Sequence, residues 1–206
     1  MHSSLRLASH RLLASSSTRA LSTAPLPTPL KAFHESMGGT LVDFAGYDLP
    51  IVYKKENGGA LKEHHQVREK AGIFDVSHMG QIKWFGKDAD DFIETVVCGD
   101  IKSLAPGTGL LSLVMNPEGG IEDDTVITKA TEGYTYMVVN GACKHKDMAI
   151  FNEQLAIYRA KNPNADVAME YSEETMGLIA IQGEWRVCVG VGGRGGRRNR
   201  TNNWGG

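Results

Sequence analysis

Residues 110–130 restrict the fold more than any other stretch of the chain. Two runs rich in apolar and β-branched residues, 110–115 (LLSLVM) and 125–130 (TVITKA), flank Asn116-Pro117-Glu118-Gly119-Gly120. Pro fixes φ and removes a donor, and Gly-Gly turns the chain without a Cβ to oppose it. Strands joined by so short a loop run antiparallel, so this stretch predicts a hairpin with a looped turn.

The flanking sequence extends that start. Ile82, Trp84 and Phe85 in QIKWFG predict a strand stopped by Gly86, and Tyr134–Val139 predicts another. Residues 60–71 predict a helix closed by Gly72 as C-cap. Asp88 is placed to cap a helix over 89–97. Pro106-Gly107 and Gly109 mark a loop. Met148, Phe151, Leu155 and Tyr158 line one face of a helix over 143–160, and Val167–Tyr171 and Leu178–Ile181 predict two more strands. Strands and helices mix without regular βαβ alternation. The expected class is α+β, with mainly antiparallel sheets and packed helices.

Composition separates three segments. The chain has 206 residues and a net charge of −2. Residues 1–24 hold Arg6, Arg11 and Arg19, many Ser and no acidic residue, with Leu5, Ala8, Leu12 and Leu13 on one helical face. That pattern predicts a mitochondrial or plastid transit peptide cut near Arg19–Thr23. Residues 184–206 hold seven Gly and five Arg against one Glu, a composition expected of a disordered tail. The intervening body, 31–183, carries 14 basic and 23 acidic residues, a net −9 hidden by its basic ends. Such a body repels phosphate backbones, so a nucleic-acid partner is not expected. No run of eighteen apolar residues occurs, so no membrane helix is expected. Cys98, Cys143 and Cys188 contain no CxxC pair, which points to a reducing compartment.

Candidate chemistry centres on Gly119-Gly120-Ile121-Glu122-Asp123-Asp124. Strand alternation sends Asp123 and Asp124 to opposite faces, so at most one faces the core. An inward Asp at a strand start can orient an amine in a pocket; a solvated acidic hairpin is the plain alternative. In Phe74-Asp75-Val76-Ser77-His78-Met79 the adjacent Ser77 and His78 diverge on an extended backbone, which opposes a catalytic triad and favours a structural turn with a hydrogen-bonded His. His64, His65 and His145 lack metal-ligand spacing and read as surface residues; no metal site is expected. No Gly-rich dinucleotide fingerprint follows a strand.

Five stretches carry a resemblance: PLKAFHESMGGTLVDFAGYDLPIVY (29–53), HHQVREKAGIFDVSHMG (64–80), NPEGGIEDDTVITK (116–129), YMVVNGACKHKD (136–147) and LIAIQG (178–183). In this order they resemble the aminomethyltransferase, or T-protein, family of the glycine cleavage system; the resemblance covers residues 27–183 and implies an incomplete folate-binding domain over residues 25–183. The resemblance implies a mitochondrial matrix protein. It implies transfer of a methylene from an aminomethyl group, carried by lipoylated H-protein, to tetrahydrofolate, with release of ammonia. It implies that Asp124, second Asp of the GGIxDD turn, fixes and activates a folate ring nitrogen, with Asp123 a supporting neighbour. Met79, Leu111, Val126 and Asn140 are implied to line the pteridine pocket, although Leu111 stands where bacterial relatives have Tyr. Members of that family continue after IAIQG with Pro and a long helical stretch, whereas Gly183 here is followed by EWRVCVGVGGRGG. An inactive folate-binding fragment or an incomplete gene product is therefore the alternative expectation. The folate domain of a sarcosine or dimethylglycine dehydrogenase relative is a third.

Overall fold

The computed structural model describes residues 24–53, 58–172 and 176–183. Both terminal segments singled out by composition, except for residue 24, lie outside those residues.

A five-stranded antiparallel sheet forms the centre. Its strands are β5 (Gly80–Phe85), β6 (Gly109–Met115), β7 (Ile121–Lys129), β8 (Thr135–Val139) and β9 (Ala168–Tyr171), in the order β6-β7-β8-β5-β9. The hairpin expected at residues 110–130 is its β6–β7 pair. Asn116 builds the turn: its Oδ1 accepts from Gly120 N at 2.7 Å, and its backbone N–H donates to Gly120 O at 2.9 Å. Gly119 turns the chain at φ 83°, a left-handed conformation that suits glycine.

Alternation along these strands creates one dry face. Ile82, Trp84, Val114, Ile127, Met137 and Val139 point to the core and are fully buried. Helices α3 (Ala89–Ile93) and α4 (Lys144–Lys161) cover that face. Phe151 and Leu155 of α4 are buried, with Met148 and Tyr158 packed beside the cluster, so the helical face read from the sequence is the packed one. Trp84 lies 5.1 Å from Phe92 and 5.8 Å from Phe151 between ring centroids.

The N-terminal part adds a second layer. Strands β1 (Leu26–Pro27), β2 (Gly39–Phe44) and β3 (Tyr47–Tyr53) form a sheet of order β1-β3-β2, with α1 (Lys31–Ser36) before β2. Lys144 of α4 ties to it, donating to the Tyr47 hydroxyl at 2.7 Å with its ammonium 4.4 Å from that ring's centroid. Helix α2 (Ala60–Glu69) leads into β4 (Gly72–Asp75), which pairs antiparallel with β10 (Ile179–Gln182).

Two capping expectations need correction. Gly72 does not cap α2; the helix ends at Glu69, and Gly72 opens β4 where a Cβ would meet Val67 Cγ2 at 2.5 Å. Asp88 makes no side-chain cap, because its Oδ2 accepts from the backbone N–H of Asp166 at 2.8 Å. The helix after Asp88 also stops at Ile93 rather than 97, and Val97 bridges to Val114 instead.

Candidate functional site

The two faces of β7 divide the acidic pair. Asp123 points inward and is 8 % exposed, while Asp124 points to solvent. Of the two, the inward Asp is thus the one that the family resemblance assigns only a supporting part. Asn140, just past the end of β8, holds both. Its Nδ2 donates to Asp123 Oδ1 at 2.9 Å and to Asp124 Oδ1 at 2.8 Å, and its backbone N–H donates to Asp123 Oδ2 at 3.1 Å.

The outer face of the sheet continues from Asp124. Val126 lies two residues along the same strand and faces the same way. Leu111 is its direct cross-strand partner on β6. Leu111 is 70 % exposed and Val126 46 %, so together they form a bare apolar plate beside a carboxylate. Met79 immediately precedes Gly80, whose partner Val139 immediately precedes Asn140, so Met79 and Asn140 flank the same end of the sheet. All five residues named from the sequence thus fall on one face or one end of the β6-β7-β8-β5 sheet.

Behind that face lies a residue that sequence reasoning missed. Asp147 of α4 is fully buried, and neither of its carboxyl oxygens has a hydrogen-bond donor among the described groups. Burial, and then the neighbouring Asp123, push its carboxyl up to about 7. Burial would raise Asp123 as well, but hydrogen bonds from the Asn140 side chain and from backbone N–H groups hold it below its usual value. Burial raises the nearby Cys143 thiol, with the Asp123 and Asp147 charges adding to it. Nothing in the sequence separates Asp147 from the other charges of KHKD; only the approach of α4 to β7 marks it.

The FDVSHM segment forms a turn and no triad. Ser77 Oγ donates to Asp75 Oδ1 at 2.5 Å and accepts from Leu178 N at 3.0 Å. Asp75 Oδ2 also meets His34 Nε2 at 2.9 Å and the Thr28 hydroxyl at 2.8 Å. His34 Nδ1 in turn meets the Tyr53 hydroxyl at 2.7 Å. Asp75 stands between Ser77 and His34, so the imidazole does not reach the serine hydroxyl. His78 departs from expectation: its Nδ1 is buried without a partner among the described residues, its ring lies edge-on to Phe44 at 5.1 Å, and burial lowers its proton affinity. His64, His65 and His145 are exposed as read. A separate cleft of about 320 Å³ lies at the far end of α4, bounded by Asp88, Tyr158 and the 161–165 segment, away from Asp124.

Residues 30–184 match the GCVT N-terminal domain. The chain belongs to that family. It is 42 % identical over 156 residues to a mitochondrial aminomethyltransferase of Dictyostelium discoideum, covering 76 % of this chain and 38 % of that protein. To the mitochondrial aminomethyltransferase of Mus musculus it is 40 % identical over 156 residues, covering 76 % of this chain and 37 % of that one. Among solved structures, the glycine cleavage system aminomethyltransferase T from Bartonella henselae superposes with a TM-score of 0.69 at 29 % identity, over 81 % of this chain and 43 % of that chain. The α+β fold described above is that of this GCVT relative. The chain spans well under half the length of the curated aminomethyltransferases it matches.

Proposed function

We propose that this GCVT-family chain binds tetrahydrofolate on the outer face of β6, β7 and β8 and serves aminomethyl transfer in the glycine cleavage system. The observation that carries this reading is the placement of Asp124, held by Asn140, at the edge of the exposed Leu111–Val126 plate. A pterin is a flat ring system with an apolar face and N–H donors at its rim. An apolar plate suits the first, and a fixed carboxylate suits the second.

In this reading Asp124 accepts a hydrogen bond from a folate ring nitrogen and keeps that nitrogen aimed at the incoming methylene. As the nitrogen attacks, it gains positive charge, and the carboxylate stabilises it. Ammonia and the lipoyl thiol of H-protein both leave the aminomethyl carbon, which ends as a methylene bridge between that nitrogen and a second folate nitrogen; the two N–H protons lost from folate go to the departing amine and thiolate. Met79 packs against the ring from the start of β5. Asn140 restrains Asp124 so that no rotamer search accompanies binding. The names of the relatives support a mitochondrial location, with residues 1–24 as the address segment.

A second reading is favoured by the one-sidedness of the plate, which leaves Leu111 and Val126 in contact with solvent. Under it the chain binds folate without turning over. Calorimetric titration of tetrahydrofolate into the full chain tests the common ground. Micromolar binding, weakened about tenfold or more by Asp124→Asn, is expected from the loss of a charge-assisted hydrogen bond. Absence of heat at any concentration overturns the folate site. Methylene transfer from aminomethyl-loaded H-protein then separates the two readings.

A further inference from the structure

Asp123 lies on β7 and Asp147 on the first turn of α4, and each carboxyl acts on the other's proton affinity. Asp123 is nearly buried and Asp147 wholly so. Two ionised carboxylates cannot share such a space, since each needs donors that water no longer supplies. Asp123 has its donors from Asn140, one from the side chain and one from the backbone. Asp147 has none. A proton on Asp147, shared with Asp123, relieves the charge on both groups.

We propose that Asp147 is a positioning residue: as a protonated acid it donates to Asp123, which fixes Asn140, and Asn140 in turn aims Asp124 at the ligand. The order runs from α4 through β7 to the end of β8. Each link after the first is a hydrogen bond of 2.8–3.1 Å. The role assigned to Asp124 rests on the folate reading above, but the proton on Asp147 does not.

The charged groups around the pair fit a neutral Asp147. Lys146 of α4 is engaged by Glu122 of β7, donating to its carboxylate at 3.1 Å and to its backbone carbonyl at 2.5 Å. Cys143 nearby is held in its thiol form by burial and by the charge of Asp123. Asn140 is neutral. Among the described residues Lys146 is the cation that acts on Asp147, and its ammonium is bonded to Glu122 instead.

The test is a carboxyl-carbon NMR titration of the full chain labelled at Asp, read together with the Asn140 side-chain amide. Asp147→Asn identifies the Asp147 signal by its loss. The expected result is a carboxyl that titrates near neutral pH, with the Asn140 amide signals moving at the same midpoint. Asp147→Asn should abolish the neutral step at the Asn140 amide, because an asparagine donates to Asp123 at every pH. Asp123→Asn should lower the Asp147 midpoint by about one pH unit, through loss of the neighbouring charge and acceptor. An Asp147 that titrates in the ordinary carboxylate range overturns the proposal. So does an Asn140 amide that ignores the step, or a midpoint unchanged by Asp123→Asn. Failure to bind tetrahydrofolate would leave these signals as expected and overturn only the folate reading.

Discussion

Asn140 Nδ2 lies 2.8 Å from Asp124 Oδ1 and restrains a carboxylate that otherwise stands in solvent. The same nitrogen reaches the buried Asp123 at 2.9 Å, so one side chain couples the inside of the sheet to its outside. Removing it acts on both. Asn140→Ala removes the side-chain donor to Asp123 and frees Asp124. A stability loss of about 1.5–3 kcal/mol is expected from hydrogen bonds to charged groups. Urea denaturation measures it, and tetrahydrofolate affinity should fall about tenfold in the same variant.

Asp147 gives the fold a pH signature with a definite sign. Its carboxyl titrates from a value of 3.8 when exposed to about 7 in the folded chain. The folded state thus holds an extra proton between those values. Its stability falls as pH rises through that window, and the cost is complete above about 7. Asp147→Asn has no such proton to lose. Its stability relative to the native chain should rise from about pH 4 to about pH 7 and level off beyond, with a total on the order of a few kcal/mol. Denaturant midpoints across that range measure it; a flat difference contradicts the assignment.

Asp75 acts in the opposite sense. Burial pushes its carboxyl up, but hydrogen bonds from Ser77, His34 and Thr28 outweigh burial and hold it below its ordinary value of 3.8. Its contribution is therefore present above the unfolded value and lost as pH falls through the folded one. Ser77→Ala removes one donor to Asp75 and also the acceptor for Leu178 N. A loss of about 1–3 kcal/mol is expected at neutral pH. The part owed to Asp75 should shrink as pH falls below its ordinary value of 3.8, which thermal melts at pH 7 and pH 3 compare.

Trp84 separates packing from polarity in the core. It is fully buried between Phe92 and Phe151, and its indole N–H has no partner among the described residues. Trp84→Ala should cost about 3–5 kcal/mol through the cavity it leaves. Trp84→Phe removes the unpartnered donor together with part of the ring, and the gain offsets the loss. It should cost only about 1–2 kcal/mol. Equal losses in the two variants would contradict this reading.

The central sheet was legible because its signals are local. Pro and Gly-Gly announce the β6–β7 turn, and α4 repeats its apolar residues at helical spacing. The first sheet was not. Its β2–β3 turn runs through Ala45 at φ 52° and Gly46 at φ 82°, and an alanine in a left-handed conformation leaves no trace in composition. β4 was missed because Gly72-Ile73-Phe74-Asp75 pairs with a strand far along the chain. Within the site, alternation divided Asp123 from Asp124 correctly, since that rule needs only the backbone. Which of the two faces the core, and the approach of Asp147 from α4, depend on tertiary packing. Asp88 illustrates the same limit: a sound local cap lost its side chain to a distant backbone N–H.

The Ser77–Leu178 clip and the β4–β10 pair beside it set an order on biosynthesis. The two sides of the clip are 101 residues apart. At ribosomal speed that separation amounts to about 5–20 s of elongation. Throughout that interval the nascent chain holds Ile73 and Phe74 with no β10 strand beside them. A holdase acting on this protein during translation has its time window fixed by the distance between two hydrogen-bonded residues.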